Sequence, residues 1–416
     1  MNADFQDVIK IKFSSRRGGG MKRKMFWFVL TTTLSLILLS GGLAGAQQKP
    51  ILLGGSLPLT GVWAETAKVI QKGYEFWVEE TNSKGGLLGR PIKLVIYDDE
   101  GKPDSAVKLA EKVITVDKVD LLLGGYPGTA ARPVMPVAEK YKMVYVSMGG
   151  HMASFTQGYT YSFGAPPLMG EWWFLGGFQW LETFPADQRP KRAAVYIMNN
   201  PVGTALLPSV DEYTKKLGIQ VVINEKYNLP LPSAEPLVMK AKQMNCDLFV
   251  SGGVFPDGVM TVKAAKALKY NPKAYFQGVG SAIPAWTKEL GEDGNAIVSG
   301  TSYHEKLNNP SNKMLIKRVK EKLNLDSVDT YFGFSVAWLQ TLFAGVEGTK
   351  GLDQTKIRDW LKKNKVETVA GTFTFDEKGL PPPFTYATQV VDGKIELIYP
   401  AEIRSHKGIY PKPAWK

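Results

Sequence analysis

Cysteine is nearly absent. The 416-residue chain has one, Cys246, so no intrachain disulfide can form and stability must rest on a buried core. Histidine is scarce too: His151, His304 and His406 lie far apart, without cysteine or acidic partners at ligand spacing, which argues against a metal site. Enzyme signatures fail as well. Gly54-Gly55-Ser56-Leu57-Pro58 does not follow G-x-G-x-x-G, and Asp98-Asp99 lie about twice as far on as the roughly 20 residues at which a ribose-binding acid belongs. Ser105-Ala106-Val107-Lys108 matches S-x-x-K, but S-D-N and K-T-G are missing, and the segment reads as a capped helix start after Pro103-Asp104. No cofactor and no catalytic residue are expected. After Ala46 there is no compact Lys/Arg block with interleaved aromatics, so nucleic acid is not an expected partner. Long apolar runs are confined to Met25–Leu39, shorter than the roughly 20 residues needed to span a bilayer.

That one run has a distinctive setting. Lys22, Arg23 and Lys24 precede it and the small residues Leu43-Ala44-Gly45-Ala46 follow, the order of a secretory signal peptide cleaved after Ala46. Residues 1–20 read as an upstream extension, with Met21 as the working start. Gln47 follows the small residues where a lipid-anchored protein would carry cysteine, so a freely diffusing periplasmic protein is expected. Removing residues 1–46 leaves 44 Lys/Arg against 37 Asp/Glu, a mild basic excess spread over a large surface.

The remainder exceeds what one core usually supports. From Ile51, short Val/Ile/Leu-rich runs alternate with helical patterns about every 30 residues, the βαβ rhythm of parallel sheets. Strands are expected at Ile51–Leu57, Ile92–Tyr97, Leu121–Leu123 and Val144–Ser147. After Ala165-Pro166-Pro167 the rhythm restarts, with strands at Ala194–Met198, Val221–Asn224, Leu248–Ser251 and Tyr275–Gln277, and helices beginning near Thr204, Ala234 and Asp257. The helical patterns Asn312–Leu323 and Tyr331–Gly345 lack strands of their own and need a sheet to cover. The chain is therefore expected to be α/β with two Rossmann-like lobes: residues 47–165 plus 304–383, and residues 166–303 plus 384–416. Three crossovers between them, near Pro166, Tyr303 and Pro381-Pro382-Pro383, would form a hinge.

Open α/β sheets bind ligands beside the carboxyl ends of their strands. Three loops there are rich in glycine and small hydroxyl residues: Leu59–Trp63, Gly124–Thr129 and Ser147–His151. Helix starts present unpaired N–H groups and the positive end of the dipole, so such loops can hold a carboxylate without a cationic side chain. Thr129 would add a hydroxyl, and Trp63 and Tyr126 an apolar wall. Pro133 and Pro136 suggest that the regular helix after the second loop starts only near Pro136.

Ser56-Leu57-Pro58-Leu59-Thr60-Gly61, then Asn82-Ser83-Lys84-Gly85-Gly86-Leu87-Leu88-Gly89-Arg90-Pro91, then Tyr97-Asp98-Asp99, resemble the leucine/isoleucine/valine-type periplasmic binding proteins. Pro136–Glu139, Thr372–Gly379 and the closing Ile409–Pro413 extend that resemblance over nearly the whole exported part. It implies two lobes joined by three strands, a small-molecule ligand held in the cleft, and delivery to the membrane subunits of an ABC permease by a monomeric, non-enzymatic receptor. A signalling receptor working through a membrane sensor is the main alternative, and an enzyme on the same lobes a more distant one. The resemblance further implies that Gly128, Thr129, Gly149 and His151 hold the ligand's carboxylate, with Trp63, Glu65 and Thr66 contributed by the first turn. The second lobe departs from the family. Val202 and Val254 stand where tyrosines are common, and Gly280 stands where the acid for an ammonium group is expected. Asp257, Glu171 or Glu65 would have to replace that acid, so the expected ligand is amino acid-like, a carboxylate or an amide.

Overall fold

The computed structural model describes residues 49–148, 152–165, 170–382 and 385–415. The leader with its cleavage point, Gly149, His151, Pro166 and Pro383 lie outside them. In the first lobe β1 (Ile51–Leu57), α1 (Ala64–Ser83), β2 (Ile92–Asp98), α2 (Pro103–Thr115), β3 (Leu121–Leu122), α3 (Gly128–Tyr141), β4 (Tyr145–Ser147) and β5 (Ser162–Gly164) follow in order. Their sheet is parallel throughout, ordered β2-β1-β3-β4-β5, with Ile51 beside Ile92 and Leu53 beside Leu121. Nearly every residue of β1 is buried, because helices cover both faces of a parallel sheet.

The second lobe contains α4 (Leu175–Glu182), β6 (Arg192–Met198), α5 (Pro201–Ala205), α6 (Leu207–Lys216), β7 (Gln220–Tyr227), α7 (Glu235–Gln243), β8 (Leu248–Gly252), α8 (Phe255–Ala267), β9 (Ala274–Gln277), α9 (Pro284–Leu290) and β10 (Ile297–Thr301). Two late strands, β13 (Tyr386–Val391) and β14 (Lys394–Tyr399), join it antiparallel to give the order β14-β13-β10-β9-β8-β6-β7. Between β10 and β13 the chain returns to the first lobe as α10 (Pro310–Leu323), α11 (Thr330–Thr349), α12 (Gln354–Lys363) and the hairpin β11 (Val366–Thr368) and β12 (Gly371–Phe373). It thus passes between the sheets three times, after Gly164, after Thr301 and between Phe373 and Tyr386.

Helix α11 lies along α1. Phe76 meets Phe332 and Tyr74 meets Trp338, at ring-centroid distances of 5.5 and 6.2 Å. The approach is close because residue 73 is glycine: a Cβ there would lie 2.0 Å from Ser335 Oγ. Helix α10 is clamped to the same surface through Glu80, whose carboxylate is 1% exposed and accepts from Arg318 at 2.8 and 3.0 Å, with Lys322 at 2.8 Å. The Arg318 hydrogen bond, with help from Lys322, holds the Glu80 carboxyl down at about 2.

Three expectations are corrected. Helix α3 starts at Gly128, not near Pro136; Pro133 and Pro136 sit inside it, each leaving one backbone acceptor unused. The helix expected from Thr204 begins at Pro201, because the Asn200 side chain accepts the Gly203 amide at 2.9 Å and proline suits the first helical position. Ser105 lies inside the first turn of α2, whose N-cap position is Lys102, so it caps nothing.

Candidate functional site

The segments after β1, β3 and β4 in the first lobe, and after β6 and β9 in the second, converge on one narrow cavity. Trp63 occupies the N-cap position of α1, and Tyr126 and Pro127 lead into Gly128 at the start of α3. Tyr331, one residue into α11, completes the first-lobe wall. Met148, just beyond β4, also comes from the first lobe, and the second lobe contributes Gly170, Trp173, Val202 of α5 and Val279 after β9. About 10 Å³ is open to the centre of a water-sized sphere, roughly one water, so the two walls are nearly shut on one another.

The first-lobe wall is aromatic. Trp63 and Tyr126 meet edge to face at 5.7 Å, and Tyr126 and Tyr331 at 5.9 Å. Both phenols are 1% exposed, and neither hydroxyl has a hydrogen bond of good geometry. That of Tyr126 lies near the hydroxyls of Thr66 and Tyr331, and that of Tyr331 near Tyr126 and the Gly280 backbone. Burial pushes both phenols up, so they stay protonated and available as donors. At the start of α3 the Ala130 and Ala131 amides donate to the Pro127 carbonyl at 2.9 and 2.8 Å, which leaves the Gly128 and Thr129 amides without an intrahelical acceptor at the positive end of the helix dipole.

The structure brings Trp63, Tyr126, Gly128 and Val202 together at the cavity, with Thr66 buried behind Tyr126. Thr129 is the second residue of α3, half-buried beside the cavity wall. Glu65 does not join them: its side chain is 53% exposed and pairs with Lys68 at 3.2 Å. Val254 is buried at the N-cap of α8, away from the cavity lining. Asp257 turns inward, accepting from the Tyr227 hydroxyl at 3.0 Å and the Val254 amide at 3.3 Å, and burial raises its carboxyl despite these bonds. Glu171 accepts the Met152 amide at 3.0 Å. Gly280 has φ +94°, and a Cβ there would lie 2.7 Å from the Phe255 Cβ, so its backbone, not a side chain, faces Tyr331. Gly149 and His151 lie outside the described residues.

Sequence reasoning missed Tyr331, Trp173, Met148 and Val279. Trp173 stands in an aromatic-rich segment and Tyr331 opens an apolar helix, but both patterns read equally well as core. Among the described residues no group of three His, Cys, Asp or Glu could hold a metal ion, and no helix is long and apolar enough to cross a membrane.

The family model for the periplasmic binding protein matches residues 50–394. The chain belongs to that family. It is 27% identical over 311 residues to the Leu/Ile/Val-binding protein of Escherichia coli K12, covering 74% of this chain and 81% of the relative. Among solved structures it resembles the branched-chain amino acid substrate-binding protein LivJ of Streptococcus pneumoniae in complex with isoleucine (19% identity, TM-score 0.74, covering 83% of this chain and 98% of the other). It also resembles an ABC transporter solute-binding protein from R. palustris in complex with benzoate (18%, 0.72, 88% and 98%). These likenesses establish the two-lobed type I periplasmic binding fold and a ligand-binding role.

Proposed function

We propose that this protein is the exported solute receptor of an ABC importer, capturing a small carboxylate, amide or amino acid-like ligand between its lobes and presenting the closed form to a permease. The cavity carries this reading. Its walls come from opposite lobes, and it contains buried phenol hydroxyls without partners beside the free amides of a helix start, a set of donors that awaits an acceptor. The lobes are residues 47–165 plus 304–383 and 166–303 plus 384–416, and the three crossing segments act as the hinge. The middle one is internally braced: Thr301 Oγ1 donates to the Tyr303 carbonyl at 2.6 Å, and the Tyr303 hydroxyl donates to Asn312 Oδ1 at 2.8 Å. Such a segment bends at its ends while each sheet stays rigid. No nucleophile or acid/base pair faces the cavity among the described residues, which favours capture over catalysis.

Thermal-shift screening of the mature protein against carboxylates, amides and amino acids, followed by small-angle scattering, tests this. A ligand at a hundred times its Kd stabilises the folded state by about 2.7 kcal/mol, and closure from an open form reduces the radius of gyration. A ligand that raises the melting point without compaction would point to a static cleft.

A further inference from the structure

We infer that the ligand is a monocarboxylate with an aromatic ring and without an ammonium group. This rests on the receptor reading and narrows it. An α-ammonium group buried in a cleft needs an anion or several acceptors around it, since an isolated buried charge is expensive. Among the described residues that line the cavity, none is charged. The acids near the cavity are engaged with the protein itself: Glu65 pairs with Lys68, Glu171 accepts the Met152 amide through Oε1, Asp257 accepts from Tyr227 and Val254, and Asp329, close to Tyr331, caps α11 by accepting the Phe332 amide at 2.9 Å. Segments 149–151 and 166–169 contain no Asp or Glu either. At Gly280, φ +94° and the nearby Phe255 Cβ leave no space for an acidic side chain.

The donors are matched to an anion instead. Tyr126 and Tyr331 present two O–H groups, and the amides at Gly128 and Thr129 lie at the positive end of a 14-residue helix. The rest of the lining is rings and aliphatic groups. Trp63, Tyr126 and Tyr331 share the lining with Trp173, Met148, Val202 and Val279. A flat ring slides between such faces as the walls part, keeping its edge-to-face contacts with Trp63 and Tyr126. A carboxylate attached to it reaches the hydroxyls and helix amides together.

Titration calorimetry with matched pairs reads this directly: 3-phenylpropanoate against L-phenylalanine, 4-methylpentanoate against L-leucine, and benzoate against benzamide. The expected result is that each carboxylate without an ammonium group binds at least about tenfold tighter than its amino acid, and benzoate tighter than benzamide. Tyr331→Phe and Tyr126→Phe should each weaken benzoate by about tenfold while leaving the melting temperature of the unliganded protein unchanged. An amino acid that binds as tightly as its deamino analogue overturns the inference. If that amino acid also compacts the protein in scattering, the receptor reading survives. Silence from all six probes overturns the ligand class, and only the absence of closure with any solute in the wider screen overturns the receptor itself.

Discussion

Replacing Glu80 by glutamine isolates the clamp that fastens α10 to α1. The carboxyl falls from an ordinary 4.5 to about 2 on folding, equivalent to about 3 kcal/mol of preferential stabilisation of the carboxylate. Its partners are not fully desolvated, Arg318 being 33% and Lys322 24% exposed, and solvent screening lowers the usable part to about 1–2 kcal/mol. Because the folded value is depressed, this stability is fully present above pH 4.5 and is lost as pH falls through about 2. Wild type and Glu80→Gln should therefore differ by about 1–2 kcal/mol in urea unfolding at pH 7, and the gap should close towards pH 2.5. Unfolding curves at both pH values, with m unchanged, measure it. An equal gap at pH 7 and pH 2.5 would refute the charge-based account and leave the exchange of an acceptor oxygen for an amide donor beside Arg318 as the cause.

His304, in the middle crossing segment, is pushed down to about 4 by burial, accepting the Lys306 amide on Nδ1 and facing the Ile395 carbonyl with Nε2. Its contribution is present above pH 6.5 and disappears as pH falls towards 4, by about 3 kcal/mol at most; His304→Gln should flatten stability across that window, as thermal melts from pH 4 to 7 will show. Gly73→Ala drives a Cβ into Ser335 and the Phe332 carbonyl and should cost about 1–3 kcal/mol in urea unfolding. Gly280→Ala should cost about 1–3 kcal/mol through left-handed backbone strain, and Gly280→Glu should gain no affinity for L-leucine in calorimetry.

The parallel strands were legible because full burial on both faces writes itself as short apolar runs: β1 matches its expected span residue for residue, and β2 to one residue at its end. The return of α10 and α11 to the first sheet was legible from helices without strands. The hairpin β11–β12 was not, being two three-residue strands with mixed burial and no usable period. Helix α3 defeated local reasoning because its apolar face packs on the sheet strongly enough to tolerate two internal prolines. Half the cavity was readable because loops at strand ends announce themselves through glycine and hydroxyl residues. Tyr331 and Trp173 were hidden, since an aromatic residue in a buried helix or turn looks the same whether it meets another ring or a ligand. Asp257 shows the opposite error: an acid at the right place in the chain, whose direction only the Tyr227 hydroxyl reveals.

The threefold passage between sheets means that neither lobe is a continuous stretch of chain. Phe76 finds its partner in Phe332, and β10 finds its neighbour in β13 only after α10 to α12 have been made. The first half of the molecule, emerging alone, holds a sheet whose outer helix has nothing to lie against. Pairings between such distant residues form late and slowly. Under the proposed role as an exported receptor, this design delays the completion of both cores until the last quarter of the chain is available, which suits passage through a membrane ahead of folding.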